Sequence, residues 1–225
     1  MPLTKLTKLI AQQNGTPPPT PSDQPSRDGL PLPTTAPRDN EIGLIFGRKG
    51  SGKTTLARGI AATTKRVLIL DTLGRDYGGG CVVNSEGDLR AYWQRVRDLP
   101  DFCVICRPRS DDLVDGYFRL VRESVGVFAL VEEADRYCSP YTMQEDLKWS
   151  LNYGRQFGQS LVGCARRAAA VSRTWTANAD WIVAHQTQEP ADLDYLSQYG
   201  FDADTLKDLP PFTWEMAGNS SLKFP

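Results

Sequence analysis

The segment from Gly47 to Thr55 has residue types and spacing that could bind a phosphate. It reads Gly-Arg-Lys-Gly-Ser-Gly-Lys-Thr-Thr and matches the pattern G-x-x-x-x-G-K-S/T in full. Its glycines allow backbone conformations closed to side chains, so successive N–H groups can converge on a phosphate at the start of a helix. We expect Lys53 to reach the β- and γ-phosphates of ATP and the Thr54 hydroxyl to ligate Mg²⁺. The predicted nucleotide-binding residues are Gly47, Arg48, Lys49, Gly50, Ser51, Gly52, Lys53, Thr54 and Thr55.

Two adjacent glutamates could supply the acidic chemistry that a triphosphate needs. Glu132 and Glu133 follow the apolar run Val127–Val131, which is typical of a buried strand. Ligands bind outside the carboxyl ends of such strands, and hydrolysis needs one acid for Mg²⁺ and another for the attacking water. We assign Glu132 to the metal ion and Glu133 to the water. The alternative is a strand end that carries charge because it emerges into solvent.

Cations without carboxylates occupy the stretch from Lys148 to Arg173. Arg155 is predicted near a helix end, where it could cross a subunit boundary and stabilise the transferring phosphoryl group in trans. The alternative is an arginine that interacts with the helix macrodipole. Arg166 and Arg167 follow the next strand, so one could sense nucleotide, both could face a polyanion, or both could lie in a solvated loop.

These groups must be positioned by an alternation of short apolar runs and helical stretches that begins at Glu41. This pattern predicts an α/β fold with a central, mostly parallel sheet sandwiched by helices. The predicted strands are Ile42–Phe46, Arg66–Leu70, Phe102–Cys106, Val127–Val131, Ser160–Cys164, Trp181–Ala184 and Phe212–Met216. The predicted helices are Thr54–Thr64, Glu86–Asp98, Asp112–Glu123, Gln144–Phe157 and Ala191–Tyr199.

The first forty residues differ in composition from the rest of the chain. Nine of the sixteen prolines and no aromatic residue fall there, so this segment cannot bury enough apolar surface to offset its ordering entropy. We predict a disordered, Pro-rich tail over residues 1–40 and one domain over 41–225. Leucines at helical spacing near the start could form a short helix that docks on a partner, and the alternative is a frayed terminus.

Composition excludes several other classes of protein. A net charge of −1 gives no global attraction to nucleic acid, so contact with a polyanion would need a local basic patch. Five cysteines do not indicate a disulfide scaffold, and Cys103 and Cys106 lie within one strand, where we expect no metal site. For the lone His185 we expect a structural role. No apolar run approaches the length that crosses a bilayer, so we expect no membrane insertion and a cytoplasmic location.

With these residues assembled, the sequence resembles the FtsK/HerA superfamily of DNA-pumping ATPases. It is most similar to the compact genome-packaging ATPases of tailless phages and archaeal viruses. The resemblance covers Ile42 to Gly218 in element order. It is carried by Gly47–Thr55, by Leu70-Asp71 with the Gly- and Tyr-bearing turn that follows, by Glu132-Glu133-Ala134, by Gly154–Gly158, and by the closing stretches Glu189–Leu196 and Leu206–Trp214.

The resemblance implies a P-loop NTPase of the additional-strand type with a RecA-like core, which uses ATP and Mg²⁺. It also implies a homo-oligomeric ring, an arginine supplied between neighbours, and translocation of double-stranded DNA through a central pore. In a virus, such a protein would act in the host cytoplasm or with the virion, and its tail could contact a portal or capsid vertex protein. Two positions depart from the family: Glu132 stands where Asp is usual, and Arg166 stands where a polar sensor, commonly Gln, is frequent.

The sequence therefore predicts an ATP-hydrolysing DNA translocase, most consistent with a viral genome-packaging motor subunit. A first alternative is a nucleotide-binding assembly or DNA-transfer accessory protein with weak hydrolysis, which the departure at Glu132 allows. A second is a small P-loop kinase or GTPase. The sequence has no Asn-Lys-x-Asp guanine signature, which argues against the second.

Overall fold

The computed structural model describes residues 32–37 and 40–224, and its centre is an eight-stranded sheet. The strand order is β3-β4-β2-β5-β6-β1-β7-β8. Every pair of neighbours is parallel except β7 and β8, which are antiparallel. The predicted α/β class with a mostly parallel sheet is confirmed. The strands are β1 (Ile42–Phe46), β2 (Arg66–Leu70), β3 (Cys81–Val83), β4 (Phe102–Cys106), β5 (Phe128–Val131), β6 (Ser160–Ala165), β7 (Trp181–His185) and β8 (Trp214–Gly218).

Seven α-helices in the described residues connect and cover the strands. They are α1 (Lys53–Ala62), α2 (Glu86–Val96), α3 (Asp111–Glu123), α4 (Glu145–Tyr153), α5 (Arg173–Asn178), α6 (Pro190–Ser197) and α7 (Ala203–Asp208). Within the part of the chain that the structure describes, no helix is both long enough and apolar enough to span a bilayer.

The sheet is buried on both faces, which explains why its strands are almost continuously apolar. Leu44 and Phe46 of β1 join the core beneath α2 to α7, whereas Ile45 joins the opposite core. That second core contains the apolar face of α1 together with Leu222 from the C-terminal segment. Helix α1 is thereby fixed on one face of β1, directly after the loop that the sequence assigns to phosphate binding.

The strand order brings the predicted chemistry to one edge of the sheet. Strand β6 lies between β1 and β5, so one extra strand separates the phosphate loop from the acidic strand. This is the additional-strand arrangement that the resemblance implies. Because β1, β2, β5 and β6 all run parallel, the residues after each strand emerge at the same carboxyl edge.

Residues 32–37, here called the N-terminal strap, lie against the C-terminal segment. The Thr34 amide donates to the Lys223 carbonyl at 2.8 Å, and the Lys223 amide donates to Thr35 Oγ1 at 2.9 Å. Pro33 and Pro37 are buried. This part of the predicted tail therefore contacts the domain, while residues 1–31, with the proposed docking helix, and residues 38, 39 and 225 lie outside the described residues.

Several element boundaries differ from the predictions. The helix expected over Gln144–Phe157 is α-helical to Tyr153 and continues as a 3-10 turn, Gly154–Phe157, before Gly158 turns left-handed at φ 66°. The last strand begins at Trp214, because Phe212 has φ 65° and cannot extend it. Strand β3 and helices α5 and α7, with three to six residues each, are absent from the prediction.

Candidate active site

The loop between β1 and α1 has the glycine-dependent geometry that its sequence predicts. Gly47 has φ 148° and Gly52 has φ 114°, both in the region that favours glycine. A side chain at Gly47 would approach His185 Cβ to 2.7 Å, and one at Gly52 would approach Phe212 Cδ1 to 3.0 Å. Both glycines therefore allow the loop to pack directly on the sheet edge, with its amides at the N-terminus of α1.

Lys53 begins α1 and lies across the loop. Its Nζ donates to the Gly47 carbonyl at 2.7 Å and to the Arg48 carbonyl at 3.0 Å. Burial lowers the pKa of Lys53 from its ordinary value, and the nearby Glu132 carboxylate opposes this shift. An ammonium has three N–H donors, so the same group can also donate to a phosphate oxygen. Lys53 therefore lies at the phosphate loop, and its contact with the β- and γ-phosphates stays a prediction.

Glu132 is buried at the end of β5, next to the first turn of α1. Tyr77 donates its hydroxyl to Glu132 Oε1 at 2.7 Å, and the Thr54 side chain is also hydrogen-bonded to this carboxylate. Burial raises the pKa of Glu132, and both hydrogen bonds act in the opposite direction. Mg²⁺ binds oxygen ligands, usually one or two from the protein together with phosphate oxygens. The paired Thr54 and Glu132 oxygens fit that requirement.

Glu133 has a left-handed backbone, with φ 51° and ψ 47°, and its side chain faces the same cleft. Thr72 donates to its Oε2 at 2.9 Å, and Arg166 is bound to its Oε1. Arg136 lies 3.4 Å from Oε2. The predicted water-orienting residue is therefore present at the site and is held there by three side chains.

The two arginines after β6 point to different places. Arg166 lines the cleft and forms an ion pair with Glu133. Arg167 instead donates from Nε to the buried Asp192 carboxylate at 2.7 Å, and it lies 3.3 Å from Glu189. Arg166 is thus the only one of the two that can meet a γ-phosphate in this arrangement, and Arg167 braces the start of α6.

Arg155 lies at the amino ends of the strands, whereas the phosphate loop lies at their carboxyl ends. It forms an ion pair with Asp180 at 2.9 Å and donates to the Asn178 carbonyl at 2.6 Å. Asp180 also accepts from the amide of Ile42, the first residue of β1. The length of β1, roughly 13–17 Å at about 3.3 Å per residue, therefore separates Arg155 from this chain's own cleft. Its action on a neighbouring subunit stays a prediction.

The groups at the carboxyl edge surround a cleft of about 780 Å³. Besides the predicted residues, its lining includes Leu32, Arg58 and Phe212. These three residues, together with Tyr77 and Thr72, are absent from the site predicted from the sequence. Tyr77 and Thr72 follow β2, which pairs with β5, so their nearness to the glutamates follows from strand order. Nothing in the sequence alone signals that Leu32 returns to the cleft.

His185, for which the sequence predicts a structural role, ends β7 and is fully buried beneath the phosphate loop. Its Nδ1 lies 2.9 Å from the Thr213 carbonyl. Burial lowers the pKa of His185 to about 4, so the ring is neutral at pH 7. The structure confirms a packing role.

No protein family model matches this chain. ABC transporter G family member 11 from Dictyostelium discoideum is 25% identical over 192 residues, which is 77% of this chain and 12% of that protein. The chain thus spans about an eighth of the length of this curated relative. The match therefore concerns one segment of that protein and not its activity as a whole.

Solved structures cover most of the chain. The genome packaging NTPase B204 from Sulfolobus turreted icosahedral virus 2, in complex with AMPPCP, matches with a TM-score of 0.66 and 20% identity, over 83% of this chain and 97% of that chain. The bacterial conjugative coupling protein TrwBdeltaN70 matches with a TM-score of 0.58 and 12% identity, over 88% of each chain. The pCW3 conjugation coupling protein TcpA, with ATPgS, has a TM-score of 0.52 and 14% identity.

These likenesses define the class of fold. The chain has a P-loop ATPase fold, and its structural neighbours are a viral genome-packaging NTPase and conjugation coupling proteins. The fold implied by the sequence resemblance to the FtsK/HerA superfamily is therefore confirmed.

Proposed function

We propose that this protein hydrolyses ATP and couples the turnover to movement of double-stranded DNA, as a viral genome-packaging motor subunit in a homo-oligomeric ring. One observation carries the proposal. The P-loop, Lys53, the Thr54–Glu132 pair and Glu133 converge on one cleft at the carboxyl edge of the sheet. The likeness to a packaging NTPase and to coupling proteins supports the DNA-moving role.

The arrangement supports in-line hydrolysis of a γ-phosphate. Lys53 and the loop amides bind the triphosphate and neutralise its developing charge, and Glu133 orients the attacking water. Mg²⁺ held by Thr54 and Glu132 supplies further charge neutralisation when it is bound. Because Arg166 lines the same cleft, an incoming γ-phosphate competes with Glu133 for the guanidinium and leaves a carboxylate oxygen available to the water.

The proposed ring would join each subunit to the next through Arg155. Arg155 has an exposed side chain at the edge opposite the cleft, where the cleft of a neighbouring subunit can meet it. A ring that closes by repeating this contact would complete each active site from two subunits. We further propose that the ring acts in the host cytoplasm or at the virion, with the N-terminal tail contacting a portal or capsid vertex protein.

A second candidate function is a nucleotide-dependent assembly or DNA-transfer accessory protein that hydrolyses ATP weakly. Two observations favour it: Glu133 is held by three side chains, and the metal-side acid is the longer Glu132. This candidate predicts nucleotide binding at the same cleft with little turnover, and no further loss of rate when Glu133 is replaced.

The proposal is tested by measuring the ATPase rate of the full chain with and without duplex DNA. A packaging motor is expected to hydrolyse ATP faster when duplex DNA is added. The ATPase rate with single-stranded DNA of equal length is measured for comparison. Lys53→Ala provides the background rate, because it removes the ammonium that contacts the phosphates. Ring assembly is checked by electron microscopy. If assembled rings hydrolyse ATP at the same rate with and without duplex DNA, the proposed translocase function is contradicted.

A further inference from the structure

Two apolar residues that are distant in the sequence line the cleft. Leu32 precedes the domain and Phe212 precedes β8, yet both line the same cleft as Lys53 and Thr55. We infer that Leu32 and Phe212 form two walls of a subsite for the base of the bound nucleoside triphosphate, so that the N-terminal strap is a structural part of the site. This inference rests on the proposed function, because it requires a triphosphate in the P-loop.

Phe212 is fixed in the cleft by a backbone conformation that is unfavourable for a bulky residue. Its φ is 65°, and its amide donates to the Ser51 carbonyl at 2.9 Å, which ties it to the P-loop. The ring packs against Gly52, since a side chain there would lie 3.0 Å from Phe212 Cδ1. Strained residues held by their surroundings are frequent at ligand sites, and an aromatic ring offers a base a stacking surface.

Leu32 is held at the cleft by contacts of the strap with α1. A side chain at Gly59 would lie 2.9 Å from Leu32 Cδ2 and 3.2 Å from Pro33 Cδ, so this part of the strap packs closely on the glycine. Leu32 is 40% exposed, whereas Pro33 is buried. An apolar side chain that is anchored but only partly covered gains burial when a base closes over it.

The position of the strap on α1 agrees with the direction in which a nucleotide must lie. In the proposed mode of binding the γ-phosphate lies at Glu133. The nucleoside then lies on the other side of the phosphates, where we place it beside Thr55 in the first turn of α1, which lines the same cleft. Thr55 and Gly59 are four residues apart and therefore share one face of the helix. Leu32, which packs on Gly59, stands on the path of the base.

Linkage follows from this geometry. A base that contacts Leu32 stabilises the docked position of the strap, and a docked strap raises the affinity for the nucleotide by the same factor.

The inference is tested by calorimetric titration of the full chain with two probes, AMPPCP with Mg²⁺ and inorganic tripolyphosphate with Mg²⁺. The second probe carries the phosphates without a base, so it separates the base subsite from the P-loop.

Three variants address the subsite: Phe212→Ala, Leu32→Ala, and Gly59→Gln, whose longer side chain occupies the place of Leu32 and Pro33. Phe212→Ala, which removes the stacking ring, is expected to weaken AMPPCP binding roughly fivefold to a hundredfold. Leu32→Ala and Gly59→Gln are each expected to weaken AMPPCP binding at least about threefold. Tripolyphosphate affinity is expected to stay within about twofold of wild type in all three, which also shows that they are folded. Val125→Ala, an exposed apolar residue outside the cleft, is the matched control with unchanged affinities.

Each other outcome overturns the inference. Wild-type AMPPCP affinity in Leu32→Ala and Gly59→Gln overturns it and leaves the proposed function intact. A parallel loss of both probes in Phe212→Ala assigns the ring to support of the P-loop and overturns the base subsite. A wild-type chain that binds neither probe overturns the proposed function, and the inference with it.

Discussion

Glu133 is the residue on which the distinction between a hydrolase and a binding module depends. Replacement by glutamine keeps the size and the hydrogen bond from Thr72 but removes the charge that pairs with Arg166 and that we propose orients the water. Turnover is expected to fall by about 10²-fold to 10⁴-fold, while the Kd for ATP stays within a few-fold. The measurement is steady-state ATPase activity together with calorimetric ATP binding.

A matched substitution separates this effect from a general loss of charge. Glu123 ends α3 and is exposed outside the cleft, so Glu123→Gln is expected to keep the wild-type rate. If Glu133→Gln and Glu123→Gln turn over ATP equally fast, Glu133 does not act on the water, and the weakly hydrolysing alternative is favoured.

Tyr77 is one of two residues whose hydrogen bonds compensate for the burial of Glu132. Tyr77→Phe removes a hydroxyl that donates at 2.7 Å to a buried carboxylate and leaves the ring in place. The free energy of unfolding is expected to fall by about 1–3 kcal/mol, because an acceptor remains without one of its partners. Urea denaturation measures this change. Tyr141→Phe is the control, since Tyr141 is 95% exposed, and equal losses in the two variants would contradict the assignment.

At the scale of the elements, hydrophobic patterning predicted seven of the eight strands but missed the shortest strand and the two shortest helices. Every predicted strand exists, and burial on both faces gives each of them except the half-exposed edge strand β8 a nearly continuous apolar run. Strand β3 has three residues and α5 has six, so neither spans enough residues to show a period. The P-loop and the two glutamates were predictable because each motif sits at the end of such a strand.

Contacts between distant elements could not be predicted in the same way. The pairing of Tyr77 with Glu132 depends on the neighbouring positions of β2 and β5, which the sequence does not state. Leu32 reaches the cleft only because the strap pairs with residues 221–223 at the other end of the chain. Composition assigned the strap to a disordered tail, since proline-rich segments carry too few apolar side chains to indicate a docking position.

The contact between β1 and β7 sets how closely the phosphate-loop strand packs. A side chain at Gly43 would overlap the indole of the buried Trp181. Gly43→Ala is therefore expected to lower the free energy of unfolding by about 1–3 kcal/mol, as overpacking does in other cores. Denaturant titration tests this. Gly87→Ala in α2, where the nearest other atom is 4.0 Å away, is the control and is expected to cost nothing.

The packing of β7 beneath the loop also gives the fold a pH dependence. The pKa of His185 is about 4 in the folded chain and about 6.5 when unfolded, so between these values the unfolded state binds more protons. Stability is therefore expected to fall as the pH falls from about 6.5 to about 4, by about 3 kcal/mol for this group. His185 is the single histidine, so comparing denaturation curves of wild type and His185→Gln isolates its contribution. Identical pH profiles would contradict the shift.

At the scale of the whole molecule, the distance between Arg155 and this chain's own cleft makes a prediction about assembly. Arg155→Ala is expected to reduce the ATPase rate of the oligomer by at least about a hundredfold, if the arginine acts on a neighbour. Asp180→Asn breaks the ion pair but keeps the arginine, so it should retain most of the rate. The two variants together distinguish catalysis in trans from simple support of the fold.

Mixing experiments give the sharper readout of the same prediction. Inactive Arg155→Ala and inactive Glu133→Gln chains are expected to recover part of the activity when combined, because some interfaces then carry both residues from different subunits. No recovery in mixtures shown to co-assemble would contradict supply of Arg155 between neighbours and would favour its interaction with Asp180 as its whole role.

Central to the proposed function, the backbone amides of the phosphate loop and Lys53 bind a triphosphate at the start of α1. Calorimetric titration of Mg·ATP into the full chain tests it most directly, with Lys53→Ala and Lys65→Ala as a matched pair of lysine variants. We predict one site per chain, a loss of affinity of at least about tenfold for Lys53→Ala, and little change for Lys65→Ala, because Lys65 is exposed and lies outside the cleft. No heat of binding with the wild-type chain, or equal affinity in wild type and Lys53→Ala, would contradict it.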